Sequence, residues 1–113
     1  MKYAISVKIK LKELEELQML TITAKCTLLP GVKEEFMEAI QPLIAGSRSE
    51  EGCVFYNLYV DTTNPDVLTF IERWKDQAAF DFHYTTPHFT TIRPLLRAFF
   101  TKDMEVDVYE QID

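Results

Sequence analysis

The sequence predicts an α+β fold of the ferredoxin-like class, an antiparallel sheet with helices on one face. Three observations carry this. From Leu20 onward, segments with the two-residue period of strands and segments of helical period follow one another in the order βαββααβ. The two middle strands are joined by Asp61-Thr62-Thr63-Asn64-Pro65-Asp66, whose residue types make turns, so the pair reads as a hairpin. The remaining helical segments fall between the first and second strands and between the third and fourth, which is the split βαβ arrangement.

Each element has its own signal. Leu20, Ile22, Ala24, Cys26 and Leu28 alternate with Thr21, Thr23, Lys25 and Thr27, giving the first strand. Pro30-Gly31 turns the chain, and Val32, Phe36, Ile40, Leu43 and Ile44 then recur at the spacing of one helix. Glu50-Glu51-Gly52 closes it. Cys53 to Val60 and Val67 to Trp74 are rich in β-branched and aromatic residues and make the hairpin strands. Asp76 is an N-cap for the next helix; Thr86 and Pro87 supply N-cap and N1 for the one after it. That last helix packs through Ile92, Leu95, Leu96, Phe99 and Phe100, and Met104, Val106 and Val108 form the closing strand. Residues 1–18 precede this unit. Tyr3, Ile5, Val7, Ile9 and Leu11 alternate like an extra strand, and Lys12 to Gln18 turn helical in composition. The expected organisation is therefore a leader or appended strand over 1–18 and one domain over 19–113.

Composition narrows the function classes. With 113 residues, 47% hydrophobic and 12% aromatic, the chain suits one globular domain that gains from a partner. Helices on one sheet face leave the other face seeking cover, so a homodimer through that face is expected. A formal charge of −6 without a Lys/Arg stripe argues against nucleic acid as a partner. No apolar run is long enough to span a bilayer, and Lys8, Lys10, Lys12 and Glu13 interrupt any signal-peptide core. A cytoplasmic location is expected. Cys26 and Cys53 lack metal-type spacing and would sit on non-adjacent strands, so both read as small buried hydrophobes.

Few residues can carry chemistry. His83 and His88 alone have an unperturbed pKa near neutrality, so either can serve as a base. Five residues apart across a helix break, they do not form the one-face pair of a helical zinc site, and no metal is expected. His83 shares a side with Ala79 and is favoured over His88, which sits behind Thr86-Pro87. Phe70, Glu72 and Trp74 share one face of the third strand; Glu72 is either a base or acceptor, or a carboxylate paired with a nearby cation. Arg93 keeps its charge at any working pH and could meet an oxyanion, and Asn57 could donate to a substrate carbonyl; a surface role is the blander account of both.

The run Phe70-Ile71-Glu72-Arg73-Trp74-Lys75-Asp76, the turn Glu51-Gly52-Cys53 and the stretch Phe82-His83-Tyr84-Thr85-Thr86-Pro87-His88-Phe89 together resemble the antibiotic biosynthesis monooxygenase family over residues 19–113. The resemblance implies a dimeric α/β-barrel and a cofactor-free oxidation of a quinol or other phenolic small molecule by dioxygen. It makes Trp74 a stacking wall of the pocket and His83 the base. Ala78 and Ala79 then leave room for a ligand, and Phe70, Glu72, Asn57, Phe80 and His88 become substrate-binding positions, with Arg93 beside the reacting oxygen. The antibiotic-tailoring branch carries Asn four residues before the Trp and Tyr six after it. Phe70 and Phe80 stand there instead, which argues against polyketide oxidation. The haem-degrading branch needs Asn, Trp and His where this chain has Ala24, His83 and Arg93. A branch isomerising a phosphorylated autoinducer shares the Phe-His-x-Thr-Thr-Pro-His stretch, and it would need cations such as Arg93 or Lys25 in the pocket. A non-enzymatic small-ligand-binding dimer is the third reading.

Overall fold

Asp76, Pro42 and the Asp61 turn fix much of the chain's path, as seen in the computed structural model, which describes residues 13–113. The strand expected over residues 1–11 lies outside the described residues. A helical turn over 13–17 is present, largely exposed, and held by local bonds such as Gln18 N–H to the Leu14 carbonyl at 2.9 Å.

The described elements are β1 (Leu20–Thr27), α1 (Lys33–Ala39), α2 (Gln41–Ser49), β2 (Cys53–Val60), β3 (Val67–Trp74), α3 (Gln77–His83), α4 (Pro87–Leu96) and β4 (Glu105–Glu110), with a 3-10 turn over Arg97–Phe99. The strands form one antiparallel sheet in the order β2-β3-β1-β4, the ferredoxin-like arrangement. β1 and β2 are not neighbours, and Cys26 and Cys53 are both free thiols. Burial pushes the Cys26 thiol up to about 12 and the Cys53 thiol up to about 11, so neither is a ready nucleophile.

Alternation decides the two faces. Leu20, Ile22, Ala24 and Cys26 of β1 and Leu68, Phe70, Glu72 and Trp74 of β3 are buried beneath the helices. Their neighbours Thr21, Thr23, Lys25, Thr69, Ile71 and Arg73 lie on the opposite face. The hairpin closes as its composition requires. Asp61 Oδ1 accepts from Thr63 N–H at 2.8 Å, Thr63 Oγ1 at 2.7 Å and Asn64 N–H at 3.2 Å, and these bonds hold its carboxyl below the usual range.

Two expectations need correcting. The single helix expected across Val32 to Ile44 is two helices that meet at Ile40. Pro42 has no N–H to return to Glu38, and its ring crowds that carbonyl, so the first helix ends and a second begins. Leu95, expected in the core, is 62% exposed. The apolar side of α4 is carried by Ile92 and Leu96, and Phe99 and Phe100 join the core from beyond the helix, packing on Phe36 at 5.7 and 6.0 Å.

Candidate functional site

Between the helix-covered sheet face and α3–α4 lies a narrow cavity of about 40 Å³. Its walls are mainly apolar, with four aromatic rings, Tyr56, Phe70, Tyr84 and Phe89, among aliphatic side chains, and Glu72, His83 and Arg93 as the charged or titratable groups nearest the site. Ala24, Met104 and Val106 border it on the β1–β4 side. The same Arg93, Leu96, Met104 and Val106 also line a wider groove of about 640 Å³ along α4 and β4, which continues the cavity outward.

Local sequence explains how each ionisable group arrives. Asp76 caps α3, its carboxylate accepting from Ala79 N–H at 2.8 Å, and the seven-residue helix ends on His83. Thr86 stands at the N-cap of α4, yet its hydroxyl does not cap. It donates to the His83 carbonyl at 2.7 Å, fixing the short turn between the helices. That turn leaves His83 1% exposed, its ring 4.5 Å from the Trp74 ring and 5.0 Å from Phe89.

Both histidines converge on one carboxylate. Glu50 Oε2 lies 2.6 Å from His83 Nδ1 and 2.7 Å from His88 Nε2. With Glu50 Oε2 as the acceptor of both contacts, the His83 proton sits on Nδ1 and Nε2 is left as the nitrogen free to act as a base. Burial pushes the His83 pKa below its ordinary value, against the opposing pull of Glu50, so the ring is neutral at pH 7. Glu50 reaches the histidines because α2 stops there: its backbone turns extended at φ −69° and ψ 136°, and Lys75 N–H pins the following loop through the Gly52 carbonyl at 2.9 Å. Gly46 has to be glycine, since a Cβ there would fall 2.4 Å from His88 Cγ. The donor atoms of Glu50, His83 and His88 all lie within 4.8 Å of one another, so these residues could also hold a metal ion.

Glu72 is the second unusual group. It is 5% exposed, and burial raises its pKa to about 7, with only partial relief from the Trp74 indole N–H donated to Oε1 at 2.9 Å. Among the described residues no cation pairs with it; the Trp74 indole takes that place.

Of the residues singled out from sequence, His83, Arg93, Phe70 and Glu72 line the cavity. The others do not. Trp74 is fully buried and backs His83 from behind the cavity wall; a strand-end Trp beneath a short helix has no route to the ligand space. Phe80 is a core residue packed on Tyr84 at 4.8 Å. His88 is turned toward Glu50. Asn57 points to the helix-free face, where it accepts from Arg48 at 3.3 Å, because strand alternation gives the cavity side to Tyr56 and Leu58. Ala79 leaves no ligand space, since Gly52 occupies it. Lys25 also lies on the helix-free face, opposite Thr69 and Glu105. Tyr56, Tyr84, Phe89 and Glu50 escaped the sequence reading. Alternation through Leu58 was a signal for Tyr56, whereas Glu50 had none, being 33 residues from His83.

Comparison with known proteins agrees with this architecture. A solved structure of a conserved protein from Methanosarcina mazei superimposes with a TM-score of 0.84 at 33% identity, covering 88% of this chain and 99% of that one. An uncharacterised Synechocystis protein, sll1783, is 33% identical over 91 residues, 80% of this chain, which spans 62% of that relative's length. The Bacillus subtilis protein named "Putative monooxygenase YcnE" is 37% identical over 71 residues, 63% of this chain and 75% of its own. Residues 19–95 match the antibiotic biosynthesis monooxygenase family, and the chain belongs to that family.

Proposed function

We propose that the chain is a cofactor-independent monooxygenase that oxidises a quinol or phenolic small molecule with dioxygen. The observation that carries this reading is the cavity wall: four aromatic side chains around one neutral, oriented imidazole. The slot of about 40 Å³ admits only the edge of a ring, so the flat substrate lies in the adjoining groove of about 640 Å³ with its hydroxyl directed at the slot. The phosphorylated-sugar reading asks for converging cations, and of its two candidates only Arg93 faces the cavity. A binding-only role would leave dioxygen unconsumed.

In this mechanism the substrate hydroxyl lies against His83 Nε2, which takes its proton. Arg93, held over the Phe89 ring at 5.4 Å, offers a fixed positive charge to the resulting phenolate. The electron-rich anion gives one electron to dioxygen, and the two radicals combine in a carbon–oxygen bond. The peroxide then splits. One oxygen stays on the ring as a carbonyl as that carbon gives up its hydrogen as a proton, and the other leaves as water, made from the cleaved oxygen, the proton returned by His83 and the carbon's proton. A quinol and one dioxygen thus give a hydroxyquinone and one water. The protein contributes desolvation, orientation and charge stabilisation.

The test is oxygen uptake over a panel of hydroquinones with chelator present, with product mass measured. Added oxygen in the product and a His83→Gln variant slowed by roughly 10² or more support the assignment. Unchanged oxygen uptake in His83→Gln removes His83 from the role. Because the His83 pKa lies below its ordinary value, its basic form predominates at pH 7, and the rate should fall on the acid side of that ordinary value.

A further inference from the structure

We infer that Glu50, His83 and His88 form a binding site for a zinc-class divalent ion, which competes with the protons now bridging them. Glu50 is a carboxylate whose side chain is 5% exposed, and among the described residues its ion-pair partners are the two histidines alone. Oε1 of Glu50 is buried and, among the described residues, has no hydrogen-bond partner. The site therefore holds a spare carboxylate oxygen beside two imidazole nitrogens.

The donor set fits zinc. Two imidazole nitrogens and a carboxylate oxygen suit a borderline ion better than magnesium, which prefers an all-oxygen octahedron. The present separations of 2.6 and 2.7 Å are hydrogen-bond lengths. Tetrahedral ligation at about 2.0–2.1 Å from each donor spaces the donors by roughly 3.3 Å. The three donor atoms already lie within 4.8 Å of one another, so a small opening of the hydrogen-bonded contacts reaches that spacing, and the partial exposure of His88 (19%) gives the ion its way in.

Metal and base are mutually exclusive at His83. An ion on Nδ1 takes the lone pair there and forces the ring proton onto Nε2, the nitrogen that faces the substrate. Bound zinc therefore switches the base off. This consequence rests on the proposed oxidation, whereas binding itself needs no substrate, so the two can fail separately.

The experiment titrates the metal-free full chain with Zn²⁺ against a chromophoric chelator, with Mg²⁺ as control. The expected result is one zinc per chain, weakened roughly 10²-fold in both His88→Ala and His88→Asn, each checked for retained secondary structure. Nitrogen-15 NMR of the His83 ring should show its proton move from Nδ1 to Nε2 as zinc binds. No uptake at micromolar protein, equal affinity in the His88 variants, or a proton that stays on Nδ1 would each overturn the site.

Discussion

Glu72 is the residue whose environment most contradicts its type. A glutamate facing an aromatic cavity, with an indole N–H as its one hydrogen-bond partner, holds its proton to about pH 7. The linkage has a definite sign. Between the ordinary value of 4.5 and about 7 the unfolded chain has released this proton and the folded chain has not, so stability declines as pH rises across that window. Above about 7 the loss is complete, and on the order of 3 kcal/mol if the whole shift is expressed. Glu72→Gln keeps the shape and the acceptor for Trp74 without the ionisation. The variant should match the parent near pH 4.5, gain on it steadily up to about pH 7, and keep a constant advantage beyond. Urea melts at several pH values measure this difference; a flat difference across the window would show that Glu72 ionises normally. Glu50 makes the complementary case, a carboxylate whose work is to orient. Glu50→Leu removes the oxygen that both imidazole protons share, so kcat should fall by roughly 10² through lost His83 orientation with KM little changed. A KM effect alone would instead place Glu50 in substrate binding.

At the scale of elements, the site depends on how closely the loop after α2 meets α3. A Cβ on Gly52 would lie 2.3 Å from the Ala79 Cβ, so the loop and helix touch through the absence of one methyl group. Gly52→Ala should push α3 away and cost about 1–3 kcal/mol, carrying His83 off Glu50. Adding Ala79→Gly removes the obstructing carbon and should restore much of the melting temperature, less the roughly 1 kcal/mol that glycine costs within a helix. If the double variant melts no higher than Gly52→Ala, the contact is not the cause. The same contact shows what the sequence could reveal. Strand alternation, the Asp61 turn and the Asp76 cap are local signals, so the strand order and the start of α3 were legible. The cavity-facing set Phe70 and Glu72 followed from the same parity. Asn57 failed on parity that Tyr56 would have satisfied, and Trp74 failed because burial depth is a tertiary property. Glu50 was read only as part of a turn. Its meeting with His83 and His88 arises from three separate chain ends, α2, α3 and α4, that no spacing rule connects.

At the scale of the whole molecule, the helix-free face of the sheet is where we predict a second copy of the chain to pack. Its rows combine Phe55, Arg73, Thr21 and Tyr109, then Asn57, Ile71, Thr23 and Asp107, then Tyr59, Thr69, Lys25 and Glu105. Tyr59 and Tyr109 are about half exposed, at 48% and 52%. Arg73 Nε on this face is buried without an acceptor among the described residues. Aromatic and β-branched side chains beside an unsatisfied guanidinium nitrogen are better served by a second protein surface than by water. An isologous pairing would cover these side chains with a second copy of the same face, and a standard interface of about 1,200–2,000 Å² fits within a sheet of this size. Light scattering should therefore give about twice the 13.2 kDa chain mass. Ile71→Asp puts a charge at the centre of that face without touching the helix-covered core, and should shift the mass toward one chain at micromolar protein while the secondary structure is retained. A clean monomer in the parent chain, or a dimer that Ile71→Asp leaves intact, would move the interface elsewhere. The exposed edge strand β4, with Val106 and Val108 at 41% and 50%, would then be the surface to test next.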